Sequence, residues 1–375
     1  MAFGCVIEVD NAIDAELASS AEVVVTERMG DTTRFELRMS AAVADGDIPE
    51  FLDSRFDPGT PVSIFADDGQ AGVVCLLSGE ADGQRLSVVH GGEGSSITVT
   101  GGDITLTMDR EVKSTVWEGP LMTDSMIVST VLASYGCVPV VAPTVASRPP
   151  SAHPMVQRRT DLGFMRQLAR RNGCLFWIRP EAAAVGPVIH TASFAPPEFA
   201  DGDLAELTLN QRGSDLTRDP NTITALAIDF DVTPPVSVTA DGVDLVNVQS
   251  FNADADLSAA ETLGTTPASA IGPTPRQHRL TAASDTAADL TPRGEGVLAE
   301  AQFFIRARCS TTLRRLRRVV RAHDTVRVVG AGSRHSGRYY VAAVTHRFGD
   351  EDHWMDIDLV RNAWGEEPGG LGGLV

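Results

Sequence analysis

Lysine is all but absent from this chain. Lys113 is the only one, so arginine carries nearly all the positive charge. Arginine suits fixed, bidentate contacts better than lysine does, although GC-rich coding gives the same bias. No apolar run approaches the ~20 residues of a membrane span. The N-terminus, MAFGCVIEVDNAIDAE, turns acidic with no basic region and long apolar stretch, so no secretion signal is expected and synthesis in the cytoplasm is. Cysteines are few: Cys5, Cys75, Cys137, Cys174 and Cys309, odd in number, with no C-x-x-C pair. That excludes a full disulfide framework and a zinc knuckle, and suggests reduced, buried thiols. A net charge of −19 makes free nucleic acid and anionic membranes poor partners for the surface as a whole.

Catalytic signatures are missing too. Neither G-x-S-x-G nor H-E-x-x-H occurs. GAGSRHSG, 330–337, resembles a phosphate loop only superficially: it lacks the lysine and leads into a strand, so it reads as a hairpin turn. Asp67–Asp68 and Glu351–Asp352 sit in turns beside glycine, as solvated charges. His346 and His353 face each other across a short hairpin with His335 nearby, but a metal needs a third ligand and a second shell. No catalytic residue, cofactor or metal site is expected.

What is present is a β-rich pattern. The chain has 375 residues, 43% of them hydrophobic, enough for two or three cored domains. Short strands recur about every ten residues over 1–115, with Phe35, Leu37 and Met39 alternating against Glu36 and Arg38. Ile104–Met108 reads as one more strand. Thr123 starts a helix that Gly136 stops, and the Pro-rich 141–154 is a loop. In Gln157–Ile178, Thr160 or Asp161 caps a second helix whose face holds Leu162, Met165 and Leu168. Gly173 ends it in a left-handed cap before an apolar strand. Asn221–Val232 alternates as a strand with Thr224, Leu226, Ile228 and Phe230 on its apolar side. Residues 240–295 are rich in Ala, Asp, Thr, Ser, Gly and Pro, and read as a long loop or partly disordered insertion. Glu295–Arg308 reads as a helix, and 325–360 as the clearest sheet. Seven arginines fall between Arg306 and Arg321.

Several segments carry a resemblance. T-D-L-x-F-M-R-x-L-A-R-x-x-G at 160–173 resembles the phage late control protein D family, the baseplate hub proteins of contractile tails, and the hub part of VgrG spikes. Gly102, Asp103, Leu106, Met108 and Asp109 are similar to an earlier family segment, and Thr123-Asp124-Ser125 with Tyr135-Gly136 to another. The closing signature stands as Asp324, Val326, Val328, Gly330, Gly332, Gly337, Tyr340, Val341, Val344, His346, Phe348, Leu359, Val360, Arg361 and Asn362. The chain departs from the family between 313 and 323, where no turn glycine precedes Asp324. The resemblance touches most of the chain except about 235–295.

The expected fold is mainly β with a small α/β insertion: two tube-like β-barrel domains, 1–115 and 205–365, flanking helices at 116–204, then a flexible tail, 366–375. The resemblance implies a homotrimeric structural hub, not an enzyme. Three copies of two barrels would form a pseudo-sixfold ring, docked on a tail tube protein above, a spike protein below and baseplate wedge proteins around it. No small-molecule substrate or membrane insertion is implied, and nucleic acid only as DNA passing through a channel. Arg306, Arg314, Arg315, Arg317 and Arg318 are the candidate subunit-interface residues. Two rivals are a tail-associated cell-wall hydrolase and a nucleic-acid-binding module built on the Arg306–Arg321 run.

Overall fold

The computed structural model describes residues 4–365 apart from 43–47, 49–52, 71, 91, 120–121, 145–154, 183–186, 213–218, 232, 234, 245–248, 257–260, 272–275, 282–286 and 350. The tail 366–375 and most of the 141–154 connection lie outside the described residues.

The N-terminal part runs β1 (Cys5–Val9), β2 (Ala12–Ile13), α1 (Ala15–Ser20), β3 (Glu22–Arg28), β4 (Arg34–Ser40), β5 (Pro61–Asp67), β6 (Val73–Ser87) and β7 (Ser96–Asp103). The alternation read in β4 is observed: Phe35, Leu37 and Met39 are buried and their neighbours exposed. β6 is one long strand of 15 residues, longer than the ten-residue recurrence suggested. Its first part pairs with β5 and its second with β7, across a bulge between Ala81 and Gly83. Glycine is needed there, because a Cβ on Gly101 would overlap the Glu80 carbonyl and the Phe35 ring. The strand thereby turns a corner, and the two layers it joins enclose a core with Ile7, Val25, Ile64, Leu77 and Val99.

Ile104–Met108 is not a strand. Asp103 accepts hydrogen bonds from the Thr105 N–H and hydroxyl, and this turns the chain into the single-turn helix α2 (Thr105–Met108). The insertion continues as β8 (Val112–Trp117), α3 (Asp124–Ser134), β9 (Val138–Val141), β10 (Met155–Thr160), α4 (Asp161–Arg171), β11 (Leu175–Glu181) and β12 (Ile189–Ala195). β8 pairs with β10, and a second small sheet has the order β11-β12-β9. Thr160 Oγ caps α4 by accepting from the Gly163 N–H at 3.1 Å, and Gly173 takes φ +64° at its end. Leu162, Phe164, Met165 and Leu168 are buried against Ile127, Leu132, Phe176 and Phe194.

Next come β13 (Ala205–Thr208), β14 (Leu226–Phe230), β15 (Ser237–Asp244), β16 (Gln249–Asp256), β17 (Thr266–Pro267), β18 (Gln277–Thr281) and α5 (Ala287–Ala301). The stretch 240–295 is therefore not the structureless insertion expected. Its described residues form a three-stranded sheet, β16-β15-β18, backed by α5 around Val238, Ala255 and Leu298. Main-chain pairing does not require strong apolar alternation, and one helix covers what little apolar face there is. α5 begins earlier than the helix expected at Glu295–Arg308 and stops at Ala301; Phe304 and Ile305 already belong to the next strand and its approach.

The remainder is β19 (Ile305–Thr312), α6 (Leu313–Leu316), β20 (Thr325–Val329), α7 (Gly332–His335), β21 (Gly337–Phe348), β22 (His353–Arg361) and β23 (Ala363–Trp364). α7 lies inside the expected hairpin turn between β20 and β21. β21, like β6, is long and shared: its start pairs with β20, and its end, Ala343–Phe348, with β3. That last pairing joins the two β-rich parts into one 13-stranded sheet, β14-β19-β22-β21-β3-β4-β7-β6-β5-β1-β2, with β13 and β20 beside it. The chain is mainly β with an α/β insertion, as expected, but its sheets are not closed barrels.

Candidate functional site

The seven arginines do not form one strip. Arg306 and Arg308 point outward from β19, where Arg308 pairs with Asp358 at 3.0 Å. Arg314 and Arg315 lie on α6, and Arg314 contacts Asp352 at 3.8 Å. Arg318 reaches Asp203 at 3.2 Å. Arg306, Arg315 and Arg317 are exposed and make no ion pair among the described residues. Arg317 and His323 take positive φ, 56° and 71°, and so fill the place of the turn glycine missing before Asp324. Left-handed backbone at such residues costs on the order of 1–3 kcal/mol and needs support from surrounding contacts.

Arg321 is buried, at the meeting point of all three parts of the chain. Its guanidinium donates to Glu27 of β3 (Nε to Oε1, 2.8 Å), to the Cys75 and Leu76 carbonyls of β6 (2.7 and 2.9 Å) and, more weakly, to the Pro180 carbonyl of β11 (3.5 Å). The other Glu27 oxygen accepts the Ala322 N–H at 2.9 Å. Burial alone would raise the Glu27 carboxyl, but Arg321 and His346 outweigh it and hold it far below the usual carboxylate range. Beside it, His346 Nδ1 lies 3.0 Å from His353 Nε2, both imidazoles being fully buried. Burial pushes His353 down to about 2, so it stays neutral. Among the described residues no group of three His, Cys, Asp or Glu is placed to hold a metal. The five cysteines are buried and free; burial pushes Cys5, Cys75, Cys174 and Cys309 up to about 12 and Cys137 to about 11, leaving them unreactive.

Several of the residues that carry the resemblance are buried polar anchors of this kind. Asp161 accepts from Lys113, from Tyr135 Oη (2.6 Å) and from Gln157 Nε2 (2.7 Å), tying β8, α3 and β10 to the start of α4. Asp124 accepts from Asn172 Nδ2 at 2.9 Å, which ties α3 to the end of α4. Arg361, fully buried, donates to the Leu263, Ser336 and Gly365 carbonyls, and Asn362 bonds Glu261, Leu263 and Gln302. None of these was singled out as a site, yet period-two parity marks several. Glu27 follows Val23 and Val25 on the inward side, His346 lies between Val344 and Phe348, and Arg361 extends Met355, Ile357 and Leu359.

Three surfaces remain open. The outer face of the long sheet runs without a break from β14 to β7, with Arg308–Asp358, Arg347–Asp356 and Arg34–Asp82 ion pairs along it. Among the sheet edges with no second strand in the described residues are β14, where Phe230 is 57% exposed, and the Gly83–Ser87 part of β6. A cleft of about 550 Å³ lies between the β11-β12-β9 sheet and segments 198–205 and 318–326. Its floor is His323, stacked on Trp177 at 3.9 Å and 2.9 Å from Tyr340 Oη.

No protein-family model matches this chain, and no curated protein does. Solved structures match it over nearly its whole length. The tail protein from Neisseria meningitidis MC58 aligns with a TM-score of 0.62 at 11% identity, over 96% of this chain and 97% of that one. The 43 kDa tail protein of prophage MuSo2 from Shewanella oneidensis gives 0.62 at 15% identity, over 96% and 98%. The E. coli c3393 protein, a type VI secretion component with structural similarity to the T4 bacteriophage tail proteins gp27 and gp5, gives 0.54 at 11%, over 93% of this chain and 76% of its own. The chain has a phage-tail, baseplate-hub-like fold.

Proposed function

We propose that this chain is a structural baseplate hub: a homotrimeric adaptor joining a sixfold tail tube to a threefold spike in a contractile tail or contractile injection system. The observation that carries this reading is the end-to-end likeness, in both directions, to two tail proteins. The topology supports it. Each β-rich part is built on a long strand shared between layers, β6 in one and β21 in the other, and the two stand side by side in one sheet. Three copies would then offer six comparable units to a sixfold tube. Bare strand edges invite pairing, and a head-to-tail contact that closes after three copies would cover them. Wedge proteins would bind the outside of the ring, and DNA or cargo would pass through it without a reaction on this chain.

The test is the mass in solution of the chain co-expressed with a spike protein from the same source. Three copies per assembly are expected. A monomer or dimer that persists with the spike present refutes the adaptor reading.

A further inference from the structure

We infer that the cleft beside β11-β12-β9 receives an extended segment of another protein that alternates arginine or lysine with aliphatic side chains. The inference goes beyond the hub reading and does not depend on threefold assembly. It starts from sheet register. Trp177, Ser193 and Val140 form one cross-strand row, and Arg179, Thr191 and Val138 the next, on the same face. The opposite face, with Phe176, Ile178, Ala192 and Phe194, is spent in the core. The first face is left as one wall of the cleft, and Val138 and Val140 on edge strand β9 are 50% and 51% exposed.

Charge then selects the occupant. The cations of the cleft are already neutralised, Arg179 by Asp324 at 3.0 Å and Arg318 by Asp203 at 3.2 Å. Glu181 and Glu198, exposed along the lining, have no ion pair among the described residues. Apolar surface beside unpaired carboxylates complements a segment bearing both aliphatic groups and cations, and disfavours a polyanion. Trp177 in the lining adds a ring on which a cation can rest. Addition of a strand to β9 is disfavoured, since Pro139 in its middle has no N–H to offer. The segment therefore lies across the sheet face and is recognised by its side chains. The floor is pre-formed: His323 is fixed by Trp177 and Tyr340 in a left-handed conformation, so little ordering is required on binding.

The experiment uses the full chain and two synthetic hexapeptides, acetyl-(Val-Arg)₃-amide and acetyl-(Val-Glu)₃-amide, followed by calorimetry and tryptophan fluorescence. The arginine peptide should bind saturably and change the fluorescence, a change absent in Trp177→Phe; the glutamate peptide should not bind. Glu181→Gln with Glu198→Gln should weaken the arginine peptide about tenfold. Glu22→Gln with Glu36→Gln, on the remote sheet face, removes the same charge and should leave its affinity unchanged. No binding by the arginine peptide, equal binding by both peptides, or equal weakening by the two double variants overturns the inference.

Discussion

At the scale of single residues, the buried Glu27–Arg321 pair carries the clearest consequence. A buried ion pair is not stabilising merely by existing, because desolvation offsets the attraction. Removing one member leaves the other charged and unpaired. Glu27→Gln and Arg321→Met should therefore each cost about 3–5 kcal/mol, and the double variant less than their sum. Denaturant midpoints of the three variants check this; full additivity would mean that the charges do not interact. The pH dependence has a definite sign. The Glu27 pKa is depressed in the folded state from its ordinary 4.5. Its contribution is thus complete above about 4.5 and declines only as pH falls below that value toward the folded pKa. The stability gap between wild type and Glu27→Gln should stay level from pH 7 to about 5 and narrow below that. Asp103 behaves oppositely: burial raises its pKa, so its contribution is present in acid and fades as pH climbs through the raised value.

At the scale of elements, much was legible because local rules were obeyed. The Thr160 cap, the Leu162–Met165–Leu168 face and the Gly173 stop all follow from spacing, and the structure places them as read. Met165, fully buried, tests this face: Met165→Asp should cost several kcal/mol by putting an unpaired charge in the core. A normally melting variant would show that the face is not buried. The failures have two causes. The seam between β21 and β3 and the pairing of β15 with β18 depend on contacts far apart in sequence, to which periodicity is blind, whereas Ile104–Met108 is turned into a helix by the local Asp103 cap. Glycine in α5 shows the first limit. Helical pattern alone gives no reason for Gly296 in α5, yet a Cβ there would overlap the Arg170 carbonyl of α4, so its value lies in letting two helices touch. Gly296→Val should loosen that contact and cost about 1–3 kcal/mol, measured by thermal melting. An unchanged melt would mean that α4 and α5 do not meet there.

At the scale of the whole molecule, charge and edges act together. A chain of net charge −19 repels its own copies, so a ring of it needs local attraction at each contact. Arg306, Arg315 and Arg317, exposed and with no ion pair among the described residues, are the available cations of the interface candidates; Arg308, Arg314 and Arg318 already contact carboxylates within the chain. Arg315 and Arg317 lie on or just after α6, and reversing both leaves the Arg314–Asp352 contact in place. Arg315→Glu with Arg317→Glu should therefore preserve the circular dichroism spectrum and melting temperature of the isolated chain. It should also lower the yield of trimers and particles, more strongly at low salt than at high salt, because the added repulsion is screened by ions. Arg308→Glu with Arg347→Glu, on the outer face of the sheet, serves as the comparison of equal charge change. If both double variants reduce assembly equally, net charge alone governs it and the α6 arginines are not an interface. If neither does, closure rests on the strand edges, and Phe230→Asp on β14 becomes the variant that should abolish it.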